Sequence, residues 1–145
     1  MGKELTLIKM DTISKGTFGK LRGIMQRNKE EEKAYPYAAN SADDKKLTNY
    51  FRRKSKECKK FGKALKIKVM AAFPAGGGPE TEIDIVELPL LESGATTLKR
   101  FSLRERADVD DYRKILEGQK LPFEIYELIR KHKMWLEVDL SKSMI

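Results

Sequence analysis

The apolar positions of this 145-residue chain change period several times, and each change predicts an element. Leu5–Met10 alternates weakly and predicts a short strand. Over Asp11–Lys29, Phe18, Leu21, Ile24 and Met25 recur at helical spacing. Gly16, Gly19 and Gly23 weaken any such helix by about 1 kcal/mol each relative to Ala, so the stretch reads as an arm that orders on a surface. Glu30–Ser41 reads as a linker, because Pro36 and the small polar residues do not continue a helix. Ser41, three residues before Asp44, predicts the next helix start. Leu47, Tyr50, Phe51, Cys58, Phe61 and Leu65 fall near one face of that helix, Lys54 interrupts the face, and Gly62 marks its end.

Leu65, Ile67 and Val69 then alternate with Lys66 and Lys68, the period of a half-buried strand. After the glycine- and proline-rich turn at 74–79, Ile83 and Ile85 alternate with Glu82 and Asp84. The two strands fit a hairpin with lysines opposite acids, and Pro89 marks an edge or bulge. Thr97–Leu103 predicts a third strand. Ser102 and Glu105 form a capping-box pattern ahead of a helix that buries Val109, Tyr112, Ile115 and Leu116 and stops at Gly118. Asp108, Asp110 and Asp111 complement the dipole of its first turn. Pro122 opens another short helix carrying Phe123, Ile125, Tyr126, Leu128 and Ile129. The alternation of Met134, Leu136, Val138 and Leu140 with Trp135, Glu137 and Asp139 predicts a last strand. The sum is an α+β fold: a mostly antiparallel β-sheet with helices packed on one side and a flexible basic N-terminal arm. Residues 1–40 form the arm and linker, and 41–145 a single globular domain.

Charge changes this picture most between Lys45 and Lys68, which hold eleven Lys or Arg and one acid, Glu57. The whole chain is only +8, so the remainder is slightly acidic. Basicity confined to one segment predicts a patch that meets a polyanion, either nucleic acid or an acidic membrane. The residues expected to contact the anion are Lys45, Lys46, Arg52, Arg53, Lys54, Lys56, Lys59, Lys60 and Lys63, assisted by Lys15, Lys20, Arg22 and Arg27.

Candidate chemistry is sparse. The single cysteine, Cys58, excludes an internal disulfide and a thiolate zinc site, which fits a reducing intracellular compartment. Its place on the apolar stripe suits a small buried hydrophobe. The single histidine, His132, sits between a basic helical end and the last predicted strand, where it suits a helix C-terminus. The aspartate cluster lacks the spacing of a calcium loop, and the glycine run lacks the Lys-[Ser/Thr] of a phosphate-cradling loop. No catalytic residue, cofactor or metal is expected. No apolar run reaches the ~20 residues that span a bilayer. Met1-Gly2-Lys3-Glu4-Leu5-Thr6 fits the pattern that acylates Gly2, and a polybasic patch is the usual second membrane signal.

Two resemblances follow. The small basic core, basic N-terminal arm, Tyr35-Pro36-Tyr37 and the run from Leu121-Pro122-Phe123-Glu124-Ile125 to Met134–Leu140 resemble the layout of matrix proteins of rhabdovirus-like negative-strand RNA viruses. That likeness implies a non-enzymatic, self-assembling structural protein of the virion. Such a protein coats the inner face of an anionic phospholipid membrane, condenses nucleoprotein, and recruits budding machinery through a Pro/Tyr motif, though Tyr35-Pro36-Tyr37 is neither P-P-x-Y nor Y-P-x-L. It is located in the cytoplasm or at the inner membrane face. The alternative is an RNA- or DNA-binding module acting through the basic helix. Asp44–Phe51 is similar to sliding-clamp-binding peptides, with Leu47, Tyr50 and Phe51 at the aliphatic and paired aromatic positions.

Overall fold

A computed structural model describes residues 12–72 and 95–143 of the chain. All the regular structure among them is α-helix: α1 Lys15–Ser41, α2 Lys45–Ala72, α3 Ala95–Gly118 and α4 Phe123–Ser143. The expected α+β fold is therefore corrected to an all-α four-helix arrangement. The strands expected at 65–69, 97–103 and 134–140 lie inside α2, α3 and α4. Those expected at 5–10 and 83–85, with the turn at 74–79, lie outside the described residues.

The alternating stretches mislead for a physical reason. In α2, Leu65 and Val69 are fully buried, whereas Ile67 between them is 58% exposed. In α4, Leu136 and Leu140 are buried while Met134 and Val138 stand about half exposed. Each alternation is thus two helical faces, one inward and one outward, each stepping by four residues. The inward series of α4 is Ile125, Ile129, His132, Leu136, Asp139 and Leu140.

The N-terminal segment is also corrected. Residues 15–41 form one helix packed into the bundle, and the expected boundary at 40/41 falls in the last turn of that helix, which packs against α2. Ser14 caps α1, accepting from the Thr17 amide at 3.1 Å. Thr17 Oγ1 in turn donates to Gln119 Oε1 at 2.7 Å, tying the start of α1 to the end of α3. Pro36 removes one backbone hydrogen bond and crowds the preceding turn, yet α1 runs past it to Ser41. The offset is burial: Ala34, Tyr35, Ala38 and Ala39 pack with Phe51, Cys58 and Phe101 in a small core. Tyr35 stacks on Phe101 with ring centroids 4.6 Å apart.

The expected helix end at Gly62 is overturned as well, since α2 continues ten residues beyond it to Ala72. Asp44 starts α2, its Oδ1 accepting from the Lys46 amide at 2.8 Å. Gly62 of α2 sits directly against the Asn28 side chain of α1. A Cβ there would stand 2.2 Å from Asn28 Nδ2, closer than atoms can come. The bare backbone admits Asn28, which donates to the Cys58 carbonyl at 3.1 Å while the Cys58 thiol donates to Asn28 Oδ1 at 3.0 Å.

The cross-links also fix direction. Neighbours are α1–α2, α1–α3, α2–α4 and α3–α4. Thr17 at the start of α1 meets Gln119 just past the end of α3, whereas Tyr35 late in α1 meets Glu105 at the middle of α3. Lys54 early in α2 meets Asp139 late in α4, and Lys68 late in α2 meets Glu124 early in α4. Each linked pair is antiparallel, so α2 and α3 run parallel on opposite corners. This is a four-helix bundle with one long crossover connection, joining α2 to α3. Its main core draws on all four helices, including Leu21, Leu65, Ile115 and Ile129. Burying each such side chain contributes roughly 1.5–3 kcal/mol.

Candidate polyanion-binding face

A helix buried along one stripe must show the other to solvent. In α2 the buried stripe is Phe51, Lys54, Ser55, Cys58, Phe61, Leu65, Val69 and Ala72. The opposite side carries Lys45, Arg52, Lys56, Lys59, Lys63 and Lys66, each three, four or seven residues from the next and therefore stacked along one face. Lys46 and Lys60 flank them, and all eight are exposed. Among the described residues, none of their side chains has an ion pair or hydrogen bond. From Arg52 to Lys66 the row runs about 21 Å, at ~1.5 Å of rise per residue.

Not every expected contact residue belongs to this face. Lys54 is 2% exposed and lies inside the bundle, with Nζ 2.8 Å from Asp139 Oδ2 and 3.4 Å from Glu105 Oε2. Arg53 is exposed but pairs with Glu57 at 2.8 Å and Asp139 at 3.1 Å. On α1, Lys15 and Lys20 are exposed and Arg22 is half-buried. Arg27 holds Asp108 at 3.2 Å and Asp111 at 2.7 Å, so its charge is used within the fold. Lys20 shares the flank of Arg27 on the helical wheel, the flank toward α3. Lys66 and Asn49, both exposed on the α2 face, were missed by the sequence reading. Continuing the 3.6-residue period past Gly62 would have found Lys66.

Two peptide-like motifs are also corrected. Tyr35 is buried and its hydroxyl donates to Glu105, so Tyr35-Pro36-Tyr37 is a stretch of packed helix with only Tyr37 exposed. Phe51 is 1% exposed, so the aromatic pair of the clamp-like stretch is not presented. Gly2 lies outside the described residues.

The interior holds a polar network, of which the helical period had placed only Lys54 on an apolar face. Glu105 receives Tyr35 and pairs with Lys54; burial still pushes its carboxyl up. Burial also works against the Asp139 carboxylate, but Lys54 and Arg53 outweigh it and hold it below its usual range. Between α1 and α3, burial first and then hydrogen bonding and repulsion from Asp108 hold Glu31 well above the carboxylate range. Asp108 Oδ2 is buried without a hydrogen-bond partner among the described residues. Arg104 closes this group, reaching Glu31 at 3.2 Å and also Glu30.

Cys58 and His132 are both interior. Burial pushes the Cys58 thiol up and keeps it protonated on Asn28. His132 lies mid-helix rather than at a helix end, stacked on Phe61 at 4.0 Å and 5° between planes. Burial and the Lys54 charge bring it down to about 3. Bundles that bind metal pairs supply inward Glu and Glu-x-x-His ligands from facing helices. Here Lys54 occupies the interior, and no group suited to a metal ion exists among the described residues. A shallow groove of about 480 Å³ between α2 and α4 is lined by Ile67, Phe123 and Leu128 with the Lys68–Glu124 pair. None of the described helices is long and apolar enough to cross a membrane.

No family model, curated protein or solved structure matches the chain. Of the features that carried the likeness to viral matrix proteins, the α+β layout is replaced by helices.

Proposed function

We propose that the protein is a non-catalytic docking module that binds an anionic phospholipid surface through the outward face of α2. The observation that carries this reading is the row of exposed cations, aligned on one helix and unpaired among the described residues. Each Lys or Arg held near an anionic leaflet contributes roughly 1 kcal/mol. Six aligned cations therefore sum to roughly 6 kcal/mol, about the strength of one acyl chain, which gives reversible adsorption. Ile67 and Met70 stand exposed at the C-terminal end of the same face, where apolar side chains enter the headgroup region.

One observation favours nucleic acid as a second reading. Asn49 is exposed within the same row, three residues before Arg52. Asn and Arg are the side chains that read adenine and guanine edges in the major groove, with flanking lysines meeting phosphates.

Co-sedimentation with phosphatidylserine vesicles and with neutral phosphatidylcholine vesicles tests the lipid reading, beside a titration with duplex DNA and RNA. The protein is expected to pellet with acidic vesicles alone. The variant Lys56→Glu/Lys59→Glu/Lys63→Glu is expected to stay in the supernatant with an unchanged helical spectrum. Salt-sensitive binding to nucleic acid without vesicle binding would replace the first reading with the second, and binding to neither would retire both.

A further inference from the structure

The shallow groove between α2 and α4 has two unlike ends. Ala64, Ile67, Phe123 and Leu128 supply its apolar lining, and its volume of about 480 Å³ lies in the usual range of small-ligand sites. Ile67 is 58% exposed and Phe123 74%, so two large apolar side chains stand in water at one end. Lys68 and Glu124 pair across the groove there at 2.9 Å, and their charges cancel. Lys131 lines the other end. The Lys68–Glu124 pair and the stack of Phe61 on His132 fix the antiparallel register of the two helices. That register sets Lys60 at about the height of Lys131. On the helical wheel both lie on the outward edge of the seam, Lys60 one turn from Ala64 and two turns from Ile67.

The acids near this second end are already held, Glu57 by Arg53 and Glu127 by Arg130. Lys60 and Lys131 are exposed and make no ion pair or hydrogen bond among the described residues. One end of the groove therefore carries cations in surplus, and the other is apolar and neutral.

We propose that the groove seats one anionic phospholipid of the bound leaflet, with an acyl chain laid between Ile67 and Phe123 and the phosphate between Lys60 and Lys131. The order of charge along the groove selects this occupant. A nucleic acid offers phosphate without a chain, and a neutral lipid offers a chain without the charge. Ile67 also continues the line of Lys56, Lys60 and Lys63 on α2, so the groove opens beside the cationic face. The inference deepens the phospholipid reading and rests on it for the source of the lipid. A lipid seated there fixes which edge of α2 meets the leaflet, which a row of cations alone does not.

Calorimetric titration of the full chain with dodecyl phosphate below its micellar concentration, beside inorganic phosphate, tests the site. Dodecyl phosphate should bind at least tenfold more tightly, because burying a few methylenes is worth that factor. Ile67→Ser/Phe123→Ser should remove the advantage. Both positions are exposed, so the far-UV spectrum should not change. Lys131→Ala should weaken dodecyl phosphate about fivefold. Equal affinity for the two phosphates, or an advantage that survives the double substitution, would overturn the proposal. Pelleting with phosphatidylserine vesicles separates this from the reading beneath it. Pelleting by a chain that shows no preference for dodecyl phosphate removes the groove and leaves the α2 face standing. Preference without pelleting keeps the groove as a site for a free anionic lipid and retires the leaflet.

Discussion

Asn28 occupies the space that Gly62 leaves bare: any side chain on Gly62 would place its first carbon 2.2 Å from Asn28 Nδ2. In an isolated helix Gly→Ala is stabilising by about 1 kcal/mol. Here the clash reverses the sign. Gly62→Ala is expected to destabilise the bundle by about 1–3 kcal/mol in urea unfolding, the usual range for overpacking. Asn28→Ala should remove part of that penalty when combined with it, although alone it costs the hydrogen bonds to Cys58. Additive effects in this cycle would show that the two residues do not collide.

Lys54 and Lys59 are five residues apart on one helix and should behave oppositely. Lys54→Met leaves Glu105 and Asp139 without their shared cation inside the bundle, and breaking a buried pair in this way costs about 3–5 kcal/mol. Lys59→Met touches an exposed, unpaired side chain and should leave the unfolding midpoint unchanged. Glu105→Gln added to Lys54→Met should recover part of the loss. Thermal and urea unfolding of the three variants check this.

Single neutralisations map the face. Lys56→Ala, Lys59→Ala and Lys63→Ala should each lower affinity for phosphatidylserine vesicles about fivefold, the equivalent of roughly 1 kcal/mol per cation. Lys20→Ala, on the α3 flank of α1, should leave affinity unchanged. Equal losses at Lys20 and Lys59 would mean that binding follows net charge rather than this face.

His132 makes stability depend on acid. Its folded pKa of about 3 lies below the ordinary histidine value of 6.5, so the unfolded chain takes the proton first. Its contribution is complete above pH ~6.5 and is lost as pH falls toward 3, with a limiting slope of about 1.4 kcal/mol per pH unit. Asp139, held low by Lys54 and Arg53, adds to the acid loss, whereas Glu31, Glu105 and Asp108, pushed up by burial, oppose it. His132→Phe should therefore flatten the difference in stability between pH 7 and pH 4. An identical acid limb in the variant would show that His132 is already charged in the fold.

The cation face was legible in the sequence because a charge excess that large has few places to go. The start after Pro122 and the stop at Gly118 were also legible, since they depend on neighbours in sequence, whereas the cap expected at Ser41 falls instead at Asp44, Ser41 being the last residue of α1. The fold class was not. Leu65-Lys66-Ile67-Lys68-Val69 satisfies a strand period and a helix period at once, and only the partner helices decide that Ile67 faces out. Pro36 and Gly62 read as breaks because local propensity says so. Burial of Tyr35 and Ala38, and the fit of Asn28, override it. Lys54 fell on the apolar face by its period, but its partners could not be read, because Glu105 and Asp139 arrive from helices far along the chain.

The parallel run of α2 and α3 sets a lower limit on what joins them. A 24-residue helix is about 36 Å long, and an extended chain covers at most ~3.6 Å per residue. A tether of roughly ten residues is then the shortest that can return from the foot of α2 to the head of α3. The natural link, 73–94, is about twice that. Cutting the connection to a tight turn would force α3 to reverse direction and pull apart Tyr35 and Glu105.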